Sequence, residues 1–176
     1  ENNELRLRLQ KRSEPSLLLG DSEAVRRVSQ LSDEVARSEV TVLIEGESGV
    51  GKSALAAEFL QRAQLAHPTL LALRGRCYEN EQVSYKAFDG CIDELSKVLR
   101  RLPTKACAAL LPLRSTLLAQ LFPVLRNVKA IAQASREGVS ADLTARRLEA
   151  FAALAGLLEK LAEERPLVLL VDDLQW

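Results

Sequence analysis

The sequence contains few of the residues and patterns that mark several large classes of protein. Aromatic residues make up only 4% of it, too few for a surface that stacks nucleic-acid bases. Lys and Arg number 24, as do Asp and Glu, so the formal net charge is zero. Direct nucleic-acid binding driven by bulk positive charge is therefore not expected, although a local basic patch remains open. The longest apolar run, residues 150–158, is far shorter than the roughly 20 residues that a membrane-spanning helix needs.

Methionine is absent, and no N-terminal signal peptide is visible. Because a natural reading frame starts with Met, we expect this chain to be a piece of a longer protein. The three cysteines, Cys77, Cys91 and Cys107, are odd in number and follow no metal-site or redox spacing. We therefore expect them to be small core residues of a cytoplasmic protein, in a reducing compartment.

Hydrophobic periodicity predicts helices that alternate with short apolar strands. Helices are predicted at residues 23–37, 52–66, 87–102 and 141–163. Strands are predicted at residues 40–44, 69–73 and 167–171. Ser140 is expected to cap the last helix, and prolines divide the region before it into short helical pieces. Since strand, loop and helix alternate, the predicted class is α/β with a mainly parallel sheet and a large helical segment between the second and third strands.

A glycine-rich loop follows the first predicted strand and fits the pattern G-x-x-x-x-G-K-[ST]. Its residues are Gly46, Glu47, Ser48, Gly49, Val50, Gly51, Lys52 and Ser53. The glycines allow successive backbone N–H groups to turn toward a phosphate, and the following helix adds its positive N-terminal end. Lys52 is suited to the β- and γ-phosphates, and the Ser53 hydroxyl to Mg²⁺. The strand before the loop and the helix after it are the context that a phosphate-binding loop requires.

The third predicted strand ends in two acidic residues, Asp172 and Asp173. An apolar strand that ends in acids is typical of a Walker B segment, at the sheet edge where α/β proteins bind ligands. We predict that Asp172 holds Mg²⁺, directly or through water. We predict that Asp173 orients or deprotonates the attacking water, so that Lys52 and Asp173 are the catalytic residues.

Four further stretches carry a family resemblance: residues 73–78, 85–90, 121–125 and 171–176. Together with the glycine loop, they resemble bacterial AAA-type ATPase modules of the STAND class, the kind fused to serine/threonine protein kinases or helical repeat arrays. The resemblance implies a three-layer P-loop NTPase domain over residues 17–176, after a linker over residues 1–16. It also implies ATP as the nucleotide, other domains of the same polypeptide as partners, and self-association.

Other functions remain open. Residues 19–25 and 46–49 are also similar to enhancer-dependent transcription activators, but that class follows Gly-Lys with Glu, where this chain has Ser53. Asp173 is shorter than the commoner Glu, which leaves open a scaffold that binds nucleotide with little or no hydrolysis. A small-molecule phosphotransferase is a third alternative, without an obvious acceptor site.

The resemblance carries one expectation about the isolated chain. In the family, a strand that follows Walker B lies between the strands that correspond to residues 40–44 and 167–171, and it carries a polar sensor residue. Because the sequence ends at Trp176, before that strand, we expect residues 1–176 by themselves not to be a competent ATPase.

Overall fold

The computed structural model describes residues 22–35, 38, 40–77, 79, 88–134 and 142–174. The predicted linker at residues 1–16 and the predicted cap Ser140 lie outside the described residues, as do Gln175 and Trp176. The chain divides into two compact structural units, residues 1–68 and 69–176.

In its described residues, the first unit has two helices, α1 at Glu23–Val35 and α2 at Lys52–Ala66. The bounds of α2 are those that periodicity predicts. Helix α1 agrees with its prediction as far as Val35, and residues 36 and 37 lie outside the described residues. Helical spacing places Val28 and Leu31 on one face of α1, but the two side chains are 40% and 53% exposed. In α2, by contrast, Leu60 is fully buried.

The prediction of a strand at residues 40–44 is wrong. Residues 40–47 form neither helix nor strand, and the side chains of Val40 and Leu43 are 61% and 65% exposed. β-branched residues fit a pleated surface, but a strand also needs a neighbour for its backbone hydrogen bonds. Among the described residues, only two other segments pair as strands.

The described residues of the second unit form two strands and the helices between them. Its elements are β1 at Leu71–Arg76, α3 at Asp89–Arg101, α4 at Thr104–Leu110, α5 at Thr116–Leu121, a 3₁₀ helix at Pro123–Asn127, α6 at Lys129–Ala132, α7 at Leu143–Glu164 and β2 at Leu167–Asp172. The strands pair in parallel, with Leu71 opposite Leu167 and Arg76 opposite Asp172. A parallel pair needs a crossover, which the helices supply. The predicted α/β class and the helical segment between these strands are confirmed.

One hydrophobic core joins the helices of the second unit to β1. Helix α3 packs on β1 and on the 3₁₀ helix, and α5 packs on α7. The rings of Phe122 and Phe151 meet edge to face, with centroids 6.4 Å apart. The most deeply buried side chains of this core include Leu73, Leu95, Leu99, Leu118, Leu125, Leu157 and Leu161. Cys91 and Cys107 belong to it too, which confirms that these two cysteines are core residues.

Three details of the last helix and strand differ from prediction. The residue that caps α7 is Asp142, whose Oδ1 accepts the N–H of Thr144 at 2.9 Å. Leu148, which periodicity places on the apolar stripe of α7, is 67% exposed, because the buried face is centred on Leu157 and Leu161. Strand β2 is half-buried rather than buried on both faces, and its Leu169 is 42% exposed.

Candidate nucleotide-binding site

The glycine loop has the backbone that its sequence predicts. Gly49 and Gly51 have φ angles of 83° and 93°, in the left-handed region that side chains with a Cβ rarely adopt. Gly51 is the N-cap of α2, and no side chain caps that helix end. The first N–H groups of a helix have no partner within it, so this end of α2 is suited to an anion.

Lys52, the first residue of α2, turns its side chain back over the start of the loop. Its Nζ donates to the carbonyl oxygen of Gly46 at 2.8 Å and to that of Glu47 at 2.7 Å. The Lys52 ammonium group is therefore held against the backbone of the loop, so its positive charge lies beside the backbone that is predicted to bind phosphate. Ser53 follows in the first turn of α2 and is exposed.

The two predicted acids lie at the end of β2. Asp172 is the last residue of the strand, and its Oδ1 accepts the N–H of Asp173 at 2.9 Å. The backbone oxygen of Asp172 accepts the N–H of Cys77 at 3.0 Å, which continues the pairing with β1 beyond its last residue. Asp173 has a φ of 56°, so the chain leaves the strand in a left-handed turn at the second acid.

Asp173 forms an ion pair with Arg76, the last residue of β1. The Arg76 Nε donates to the Asp173 Oδ2 at 2.7 Å. Parallel pairing explains the contact, since Arg76 lies opposite Asp172 and the turn at Asp173 brings the second acid beside it. The sequence alone favours a solvated or ion-paired role for Arg76 but does not identify its partner. Arg76 and Asp173 are 97 residues apart along the chain, so the partner of Arg76 can be identified only from the register of the two strands.

Each group by itself has the chemistry that its sequence predicts. The loop supplies a cation and backbone N–H groups that suit phosphate oxygens, and its Ser53 supplies a hydroxyl oxygen. Asp172 supplies a carboxylate oxygen, a type of ligand that Mg²⁺ prefers. The loop belongs to the first structural unit and the acids to the second. Among the described residues, no three His, Cys, Asp or Glu side chains form a group that could hold a metal by themselves.

The buried cysteines are unsuited to chemistry. Burial raises the pKa of the Cys91 thiol to about 11, and the nearby Glu94 charge adds to the shift. Burial also raises the pKa of Cys107. Because the thiolate is the reactive form, both are inert near neutral pH. None of the helices in the described part of the chain is long and apolar enough to cross a membrane.

Comparison with known proteins identifies the family. Residues 18–176 match the model of the family described as AAA ATPase domain. Two nitrogen fixation proteins of Azotobacter vinelandii, VnfA and AnfA, are 46% and 45% identical over 56 residues. These residues are 32% of this chain but only 11% and 10% of the two relatives. No solved structure matches the chain significantly. Because the family model covers nearly the whole sequence, the chain belongs to the AAA ATPase domain family and its fold class is that of the P-loop NTPases.

Proposed function

We propose that this chain binds ATP with Mg²⁺ through Gly46–Ser53 and that, within the longer protein, it is the ATP-hydrolysing regulatory module of a multidomain bacterial signalling protein. The observation that carries the proposal is the loop itself. Left-handed glycines shape its backbone, and Lys52 is held over its first two carbonyl oxygens. Family membership supports nucleotide binding independently of this geometry.

Each residue then has a defined role. The loop N–H groups and Lys52 bind the phosphates, and Ser53 and Asp172 would hold Mg²⁺, which neutralises phosphate charge when bound. Asp173 orients a water and accepts its proton. The water oxygen forms a bond to the γ-phosphorus, the bond from that phosphorus to the bridging oxygen breaks, and ADP leaves with the electron pair.

A second candidate is a scaffold that binds ATP but hydrolyses it slowly. The ion pair with Arg76 favours it, since Oδ2 of the proposed base is already engaged at 2.7 Å. An Asp also reaches less far than a Glu. Turnover of a protein that binds ATP separates the two candidates.

The similarity to VnfA and AnfA favours a different kind of parent protein for the same ATPase module. Together with the likeness of residues 19–25 and 46–49 to enhancer-dependent transcription activators, it supports the ATPase domain of a transcription regulator as the alternative to a kinase-fused regulator. The chain spans about a tenth of each relative, so this alternative concerns the surrounding protein rather than the loop. The domains encoded on both sides of this segment in the parent reading frame distinguish the two kinds of parent protein.

The binding proposal is tested by Lys52→Ala. Loss of the ammonium removes a charged hydrogen-bond donor to the phosphates, so affinity for a fluorescent ATP analogue with Mg²⁺ should fall about 10- to 100-fold. Lys105→Ala, which removes an exposed lysine of α4, is the matched control and should bind as the wild type does. Equal affinity of the wild type and Lys52→Ala would refute the assignment of the loop.

A further inference from the structure

The N-terminal half of α3 holds both strands of the second unit just before they end. The Glu94 Oε2 accepts the N–H of Arg74 at 2.8 Å. A Cβ added to Gly90 would lie 2.7 Å from the carbonyl oxygen of Arg74, so the helix backbone approaches β1 as closely as glycine allows. On β2, the carbonyl oxygen of Leu170 lies 3.9 Å from the Cys91 Sγ.

Strand register explains why Glu94 is needed. The N–H of Leu71 donates to the carbonyl oxygen of Pro166, just before β2, and the N–H of Cys77, just after β1, donates to that of Asp172. Alternate N–H groups of a strand point to opposite edges, so that of Arg74 points away from β2. No strand among the described residues covers this edge of β1, and the Glu94 carboxylate supplies the acceptor. Arg74 is exposed, but a hydrogen bond to a carboxylate is stronger than one between neutral groups, so the contact helps to hold β1 against α3.

The contacts lie close to the proposed catalytic acid. Arg74 is two residues before Arg76, whose Nε binds Asp173, and Leu170 is two residues before Asp172. In an extended strand, two residues span about 7 Å and their side chains lie on the same face. A shift of β1 against α3 would therefore carry with it Arg76, the residue that binds Asp173.

We propose that Glu94 is a positioning residue for the acidic edge of the sheet. By accepting the Arg74 N–H, Glu94 fixes the end of β1 at which Arg76 binds Asp173. Helix α3 also packs on the 3₁₀ helix, so it connects the acidic edge of the sheet with that helix. The effect on turnover rests on the proposed hydrolysis. The effect on the position of α3 does not.

The cysteines provide a measure of position that is independent of activity. Cys91 is 1% exposed between α3 and the strands, and Cys107 is equally buried in α4. After reaction with N-ethylmaleimide, trypsin would separate the three thiols into peptides 77–86, 87–97 and 106–114. Mass spectrometry then gives the labelling rate of each thiol in the same sample, with Cys107 as the internal control.

Two substitutions separate the hydrogen bond from the charge. Glu94→Ala removes both, whereas Glu94→Gln removes the charge but keeps an oxygen that accepts the Arg74 N–H. We expect Glu94→Ala to raise the labelling rate of Cys91 about ten-fold with Cys107 unchanged, and Glu94→Gln to stay within about two-fold of the wild type. A wild-type rate in Glu94→Ala, or equal rises at Cys91 and Cys107, would overturn the proposal, because the second result indicates general loosening.

Turnover provides the catalytic test. In the longer parent protein, Glu94→Ala should lower kcat about ten-fold and leave the affinity for ATP unchanged, because the glycine loop is not altered, and Glu94→Gln should restore kcat. If the wild type binds ATP without hydrolysing it, the proposal of hydrolysis is wrong. The labelling rate of Cys91 then still tests whether Glu94 holds α3 against β1. If labelling changes as expected but kcat does not, Glu94 positions the strand without influencing catalysis, and that part of the proposal is wrong.

Discussion

At the scale of single residues, the charge of the glycine loop and the charge at the end of β2 are held in different ways. Lys52 binds carbonyl oxygens of its own loop, within six residues along the chain. Asp173 binds Arg76 from another strand. The cation is therefore placed by local backbone geometry, and the acid by the pairing of distant segments. A substitution at Asp173 should consequently act on a different step from one in the loop.

Asp172 and Asp173 are expected to separate by role. Asp172→Asn should weaken Mg²⁺-dependent ATP binding, because it removes a charged ligand oxygen. Asp173→Asn should leave binding near the wild-type level and lower turnover about 10²- to 10⁴-fold, because an amide cannot accept the proton of the attacking water. Binding is measured with a fluorescent ATP analogue at varied Mg²⁺, and turnover by phosphate release from the longer parent protein.

Exposed acids on α7, such as Glu163, provide the control for these charge changes, and Glu163→Gln should alter neither quantity. Hydrolysis at the wild-type rate by Asp173→Asn would show that this residue is not the general base. Turnover that is negligible in the wild type as well would favour the scaffold alternative.

At the scale of elements, the fit of α3 against β1 depends on the absence of a side chain at Gly90. The Arg74 carbonyl oxygen would lie 2.7 Å from a Cβ there, closer than such atoms approach in folded proteins. The contact is with backbone, which cannot move aside without shifting the strand. Gly156 in α7 is different, since a Cβ there would lie 3.7 Å from the Pro112 Cβ, an ordinary contact distance.

These two glycines make a matched pair for a stability measurement. Gly90→Ala should lower the free energy of unfolding by about 1–3 kcal/mol, the usual cost of overpacking. Gly156→Ala should leave it unchanged or raise it by up to about 1 kcal/mol, because alanine favours a helix interior more than glycine does. Urea unfolding of both variants checks the prediction, and an equally stable Gly90→Ala would show that α3 and β1 separate at little cost.

At the scale of the second unit as a whole, the core contains a thiol that must stay protonated. The pKa of Cys91 rises from 9.0 to about 11, mainly because burial disfavours the thiolate. The unfolded chain releases this proton near pH 9, whereas the folded chain holds it until about pH 11. Stability from this thiol is therefore fully present below pH 9 and is lost as the pH rises through the folded pKa.

We expect the free energy of unfolding, measured with a reducing agent present, to fall between pH 9 and 11. The contribution of Cys91 is up to about 3 kcal/mol, since each pKa unit corresponds to about 1.4 kcal/mol. Lysines and tyrosines titrate in the same range, so the comparison is with Cys91→Ala, in which the fall should be smaller by that amount. Parallel pH profiles for the two proteins would contradict the assignment.

Local chemistry makes part of this protein predictable. The glycine loop is identifiable from spacing alone, because the left-handed backbone at Gly49 and Gly51 favours glycine whatever packs around the loop. The bounds of α2 follow from periodicity and from the proline that comes after it. The division of the second unit into short helices likewise follows prolines, which remove backbone donors irrespective of what packs around them.

Features that require a second, distant segment of the chain were determined only by the tertiary structure. Residues 40–44 have the composition of a strand but no neighbour among the described residues, so they are not one. The Arg76–Asp173 pair and the Glu94–Arg74 bond depend on strand register and helix packing, which join residues 97 and 20 positions apart. Side-chain type and short-range spacing determine a loop or a helix. The partner of an ion pair and the neighbour of a strand are determined by which distant segment of the chain packs against that residue or strand.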